Sequence, residues 1–162
     1  MGLRHNFSNS IFPAVSFNCG PISISLDHTD FSNLSHGFCG LTALGSYDYT
    51  KGGHLALLSL KRVIQFPPGS TILIPSGCLE HGNTPIQDGE VRLSIAQYAA
   101  GGLFRWVAYG FRSAKSLLAG KNGAQIKNAI DRGDNIRWRE GLDMFSKVEE
   151  LELDLKAVYH SS

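Results

Sequence analysis

The residues able to do chemistry fall in a fixed order along the chain: His28 and Asp30 two positions apart, His81 far downstream, then Arg92 and Ser94. Two imidazoles and one carboxylate can occupy one face of an octahedral ion and leave the opposite positions open, an arrangement suited to Fe(II) and dioxygen. In a β-strand, side chains alternate faces, so His28 and Asp30 at i and i+2 point the same way and can grip one ion. His81 then has to arrive from another strand by sheet pairing. The stretches on either side of it, 70–75 and 91–98, are rich in β-branched and apolar residues, as strands are. The expected metal ligands, and hence the catalytic residues, are His28, Asp30 and His81.

Arg92 lies on a stretch where Val91, Leu93 and Ile95 alternate with Arg92, Ser94 and Ala96. The charge therefore sits on the face opposite the large hydrophobes. A guanidinium there can take a carboxylate through two parallel hydrogen bonds, with the Ser94 hydroxyl on the same face as a further donor. That is a pocket for a small diacid.

Bringing these residues together requires a β framework, and the composition allows one. At 162 residues, with 43% hydrophobic and 18% charged residues, the chain suits one globular domain with a substantial core. Eighteen Gly and six Pro supply the many turns of an all-β core. Strands are expected at 14–19, 22–28, 38–44, 54–58, 61–66, 70–74, 79–83 and 91–98, separated by breaks such as Gly20-Pro21, Gly52-Gly53 and Pro67-Pro68-Gly69. Eight strands are the number of a jelly roll, with the metal motif at the end of the second. A polar loop at 32–37 is expected over the mouth of the site. After Gly101-Gly102 the pattern turns helical, with apolar spacing over 113–132, interrupted at Gly123, and over 138–151. The expectation is a mainly β protein: a double-stranded β-helix core over 1–112, and a helical extension of the same domain over 113–162 packed outside it.

His-x-Asp, a distal His and the run Pro85-Ile86-Gln87-Asp88-Gly89-Glu90-Val91-Arg92-Leu93-Ser94 together resemble the 2-oxoglutarate/Fe(II)-dependent dioxygenase superfamily, whose core is a cupin-like jelly roll. More narrowly, the stretches 44–76, 81–107 and 138–151 resemble a group of dioxygenase-like proteins multiplied in mushroom-forming fungi and related to the TET/JBP enzymes that oxidise methylated pyrimidines in nucleic acid. The resemblance runs from about Phe7 to Leu153. It implies Fe(II) at His28, Asp30 and His81, with 2-oxoglutarate held by Arg92 and Ser94, and O2 as co-reactant. It also implies hydroxylation of a C–H bond coupled to release of succinate and carbon dioxide. The methyl group of a methylated nucleobase is the first substrate it implies, which makes nucleic acid a partner. A prolyl-type protein hydroxylase shares the same skeleton of motifs. A catalytically silent copy is the third expectation, because the chain starts only a short way before its first predicted strand and the N-terminal helices common in the superfamily are missing.

Other features weigh less. Cys19, Cys39 and Cys78 form no CxxC pair and read as small hydrophobes in a reducing, intracellular compartment, a nuclear one if nucleic acid is the substrate. No apolar run reaches the roughly 18 residues that span a bilayer. Residues 104–147 hold nine Lys/Arg against four Asp/Glu, which suits either a phosphate backbone or a solvated helix face. Phe104, Trp106, Tyr109 and Phe111 beside Arg105 and Arg112 suit base stacking, but core packing explains them more economically. His54 reads as a packed residue, and His5, His36 and His160 as solvated. Asn18 suits either the cosubstrate or a turn, and Gln97 and Tyr98 end the Arg92 strand with core packing as their default role.

Overall fold

The computed structural model describes Arg4, residues 6–132 and residues 134–159, so His5 and His160 lie outside the described residues. The chain forms two compact units that divide between Val107 and Ala108.

Among its described residues the first unit contains seven strands: β1 (Ala14–Asn18), β2 (Cys39–Ser46), β3 (Leu55–Leu57), β4 (Arg62–Ile64), β5 (Thr71–Ile74), β6 (His81–Asn83) and β7 (Val91–Tyr98). They make one antiparallel sheet in the order β1-β7-β2-β5 and a second in the order β4-β3-β6. The expected strand over 22–28 is not a continuous strand. It pairs at isolated points, Ile22 in parallel with Arg92 of β7 and His28 antiparallel with His81 of β6. Between those points the Asn83 side chain replaces a ladder partner, its Oδ1 accepting from Ser25 N–H at 2.7 Å while Asn83 N–H donates to Ser25 O at 3.0 Å. The physical reason is the route. This segment leaves the edge of one sheet and arrives at the edge of the other, so it cannot keep an unbroken ladder with either.

Counted as the second of eight, the crossing segment completes a jelly roll. The first sheet then holds the first, eighth, third and sixth strands, and the other holds the fifth, fourth, seventh and second. The fold is a double-stranded β-helix followed by C-terminal helices. Its apolar core lies between the sheets, with Ala43 and Ile74 from one side meeting Leu55 and Leu57 from the other, closed by Phe66 and Leu79.

Alternation along β7 sets the polarity of the interior. Arg92 is buried, whereas Val91 on the opposite face is 37% exposed. The strand therefore turns its charged face inward. Two glycines permit close approaches, one to this strand and one to Tyr47. Gly45 of β2, at φ +116, pairs with Arg92, and a Cβ there would collide with Val91 O. Gly53, at φ +67, leaves room for the Tyr47 ring, which a Cβ would meet at 2.5 Å.

Helix α1 (Gly101–Ala108) begins where the strand pattern ends. The second unit holds α2 (Ala114–Leu118), α3 (Gly123–Arg132), α4 (Asp134–Leu142) and α5 (Leu151–Tyr159). Ser113 caps α2, its Oγ accepting from Ser116 N–H at 3.0 Å. Asn122 in the left-handed region, at φ 58, separates α2 from α3. Buried Tyr109 donates its hydroxyl proton to Asp131 of α3 at 2.8 Å, a packing role for one member of the aromatic cluster. The helix expected over 138–151 divides instead. Phe145 N–H turns back to Leu142 O at 3.0 Å, and the acidic run from Glu149 to Asp154 gathers at the start of α5, where negative charge favours a helix N-terminus.

Replacing Gly45 by Ala is expected to lower stability by about 2–4 kcal/mol, from left-handed strain plus the backbone clash at Val91. Urea unfolding of the two proteins measures the difference.

Candidate metal centre

A cavity of about 560 Å³ lies between the two sheets of the first unit, and His28, Asp30, His81, Arg92 and Ser94 all line it. Reciprocal backbone hydrogen bonds, His28 N–H to His81 O at 3.0 Å and His81 N–H to His28 O at 2.9 Å, put the two histidines directly opposite each other. Their ring centroids are 4.5 Å apart. Each ring folds back on the carbonyl two residues earlier, His28 Nδ1 to Leu26 O at 2.7 Å and His81 Nδ1 to Leu79 O at 2.8 Å. A carbonyl oxygen only accepts, so Nδ1 carries the proton in both rings and Nε2 keeps its lone pair for an ion.

Asp30 follows on the chain leaving His28, with its N–H tied to Ser76 O at 2.9 Å. Its Oδ1 stands 3.5 Å from His28 Nε2. One donor atom from each of His28, Asp30 and His81 falls within 4.8 Å of the others. The donor set fits a divalent metal, because two imidazole nitrogens and a carboxylate oxygen lie close enough together to share one ion. Exposure is graded across the trio: His81 is buried at 4%, while the side chains of Asp30 and His28 are 33% and 43% exposed. The cluster is anchored on its His81 side and opens to solvent on its His28 side.

Arg92 forms the opposite pole. Its Nη1 donates to Ser23 O at 2.9 Å and its guanidinium also meets the Tyr47 hydroxyl, which in turn donates to Phe66 O. Nε is buried without a partner, and no carboxylate among the described residues pairs with the group. Burial pushes the Arg92 pKa down, and Tyr47 offsets only part of this. A buried cation held by neutral acceptors is suited to pairing with an anion, since its own desolvation has already been met. Ser94 adds a donor, since its Oγ accepts from Asn18 Nδ2 at 2.9 Å and its own proton remains to be given.

The other singled-out residues are placed as follows. Asn18 and Tyr98 line the cavity, Tyr98 Oη lying 3.3 Å from Ser16 Oγ. Gln97 donates to Ser10 Oγ at 3.1 Å, and neither His36 nor His54 is among the lining residues. His54 N–H donates to Thr84 Oγ1 at 3.0 Å. Sequence reasoning missed Tyr47 and Asn33. Tyr47 directly follows β2, with no local sign that it meets Arg92. Asn33 sits in the polar loop and sends Nδ2 to Asp30 Oδ2 at 3.2 Å.

The chain is a jelly roll in which the His-x-Asp pair and the distal His line one cavity. No family model matches the chain, and no curated protein does. Solved structures similar to it include NgTET1 in complex with 5mC DNA, at 21% identity and TM-score 0.49 over 57% of this chain and 36% of that one. Another is the viral collagen prolyl hydroxylase vCPH from Paramecium Bursaria Chlorella virus-1 in its 2OG complex, at 17% identity and TM-score 0.39 over 55% of this chain and 63% of that one. This chain thus spans about a third of NgTET1 and under two thirds of the viral protein.

Cys39, buried beside Ser76, has its thiol pushed up to about 11, chiefly by burial, so it stays protonated at neutral pH. Cys19 and Cys78 are exposed. A thiol-exchange reagent at mildly alkaline pH is expected to modify Cys19 and Cys78 promptly and Cys39 only after denaturation, counted by mass spectrometry of the labelled peptides.

Proposed function

We propose that this chain is an Fe(II)- and 2-oxoglutarate-dependent dioxygenase that hydroxylates a C–H bond, with the methyl group of a methylated nucleobase as its substrate. The observation that carries the proposal is the convergence of His28, Asp30 and His81 in the cavity that also holds the buried guanidinium of Arg92, which no described carboxylate neutralises. In this reading His28 Nε2, Asp30 Oδ1 and His81 Nε2 hold the iron. Arg92 and Ser94 hold the far carboxylate of the cosubstrate. With 2-oxoglutarate and O2, bound iron supplies the C–H oxidation, and succinate and carbon dioxide leave as co-products.

The protein's own contribution is placement and exclusion of water. His81 anchors the centre from its buried side, and Asp30 supplies the negative charge that a divalent ion needs. Arg92 is already desolvated, so the anion it takes is bound in a medium where charge pairing is stronger than in water. Leu41, Leu55 and Phe66 line the same cavity and keep part of its wall dry.

Two features support a nucleobase. Phe31, next to Asp30 on the cavity lining, is 89% exposed and offers a flat ring on which a base extruded from its duplex can stack. The second is the sequence resemblance to the TET/JBP-related group, and a nuclear site of action goes with that substrate. No helix among the described residues is long and apolar enough to cross a membrane.

Purified protein given Fe(II) and 2-oxoglutarate is expected to release succinate, and His28→Ala to release none. Arg92→Met is expected to raise the KM for 2-oxoglutarate about 10- to 100-fold, the weight of one or two charge-assisted hydrogen bonds. Incubation with methylated oligonucleotides and, separately, with proline-containing peptides decides the substrate. Loss of the methylated base supports the proposal, gain of one oxygen on the peptide replaces it with a prolyl hydroxylase, and no succinate under any condition identifies a silent copy.

A further inference from the structure

We infer that Asn33 is a positioning residue for the metal centre: its amide selects which oxygen of Asp30 faces the ion and keeps that carboxylate to a single point of attachment. The inference rests on the metal-binding reading above and adds to it a residue that is not itself a ligand.

The Asn33 amide is held at both of its protons. Nδ2 donates to Asp30 Oδ2 at 3.2 Å and to Ser76 Oγ at 3.1 Å. The opposite orientation of the amide would turn its carbonyl oxygen toward a carboxylate, acceptor against acceptor, so the donor orientation is the only stable one. Ser76 is 1% exposed and cannot move aside into solvent. The backbone beneath is equally constrained. Asn33 N–H closes a turn on Asp30 O at 2.8 Å, and Asp30 N–H is tied to Ser76 O at 2.9 Å. On the other side, Leu34 N–H bonds Ala99 O and Gly101 N–H bonds Ser32 O, each at 2.9 Å. The loop carrying Asn33 is therefore fastened to the turn before β6 and to the end of β7. Its side chain reaches Asp30 from a rigid base.

Occupying Oδ2 has a chemical consequence. A free carboxylate can rotate or grip an ion through both oxygens, and a second oxygen on the metal would fill a position that a chelating cosubstrate needs. With Oδ2 engaged by Asn33, Oδ1 is left on the side of His28 Nε2, 3.5 Å away. Partners of this kind behind a ligand typically change metal affinity 10- to 100-fold when removed.

Co(II), which absorbs visibly according to its coordination number, is the probe. Titration calorimetry and visible spectra are recorded for wild type, His28→Ala, Asn33→Ala and Asn33→Asp, with circular dichroism of each metal-free protein confirming the fold. Wild type is expected to bind Co(II) and His28→Ala to lose it. Asn33→Ala is expected to bind about 10- to 100-fold more weakly, with a changed visible spectrum. Asn33→Asp keeps the size of the side chain but sets a second carboxylate against Oδ2, and is expected to shift both readouts as well. It carries the comparison if the alanine variant fails to fold. Wild-type affinity and an unchanged Co(II) spectrum in a folded Asn33 variant overturn the inference while leaving the metal site standing. Equal behaviour of wild type and His28→Ala overturns the metal site, and the role of Asn33 with it.

Discussion

Two backbone hydrogen bonds between His28 and His81 hold together the part of the fold on which the rest depends. They dock the crossing segment on β6 and so supply the last edge of the second sheet. The same pairing sets two imidazoles side by side, because residues directly opposite in an antiparallel pair present their side chains on one face. Asp30 follows within two residues, and its own backbone bond to Ser76 stops the chain from swinging away. Closing the barrel and bringing His28, Asp30 and His81 together are one event. A protein that failed to close here would lose both.

The barrel is divided by polarity. One part of its interior is an apolar core in which Leu55, Leu57, Phe66 and Ile74 are almost completely buried. The other part encloses a buried guanidinium, whose Nε has no partner among the described residues, and the buried imidazole of His81. Such groups are costly to bury, and a chain can hold them only where neighbouring packing supplies the stability they subtract. Tyr47 and the Ser23 carbonyl keep Arg92 in place without neutralising it. The geometry is thus prepared for an anion before any arrives.

Much of this was legible along the chain. The strand over 91–98 is evident from alternation, and His28, Asp30, His81 and Arg92 declare themselves by type and order. The crossing segment was less legible. Its composition is that of a strand, yet its path between two sheets leaves only point contacts, and a route through space has no signature in residue pattern. Tyr47 and Asn33 were invisible for a related reason. Tyr47 reaches a guanidinium forty-five positions away, and Asn33 acts through a loop conformation that Ser76 and Ala99 fix from distant parts of the sequence. The division of the last helices turned on where the acidic run found a helix start, a balance that apolar spacing alone does not reveal.

By itself the sequence determined which side chains share a face and which types stand at ligand spacing, since alternation with a period of two is a local property of extended chain. Alternation alone did not determine which face looks inward, although the residue types suggested a pocket on the Arg92 side. Along β7 the larger hydrophobes would ordinarily point to the core, yet Arg92, Ser94 and Ala96 line the cavity. Only the tertiary structure decided that, because the two faces of an isolated strand are equivalent until a second sheet packs against one of them.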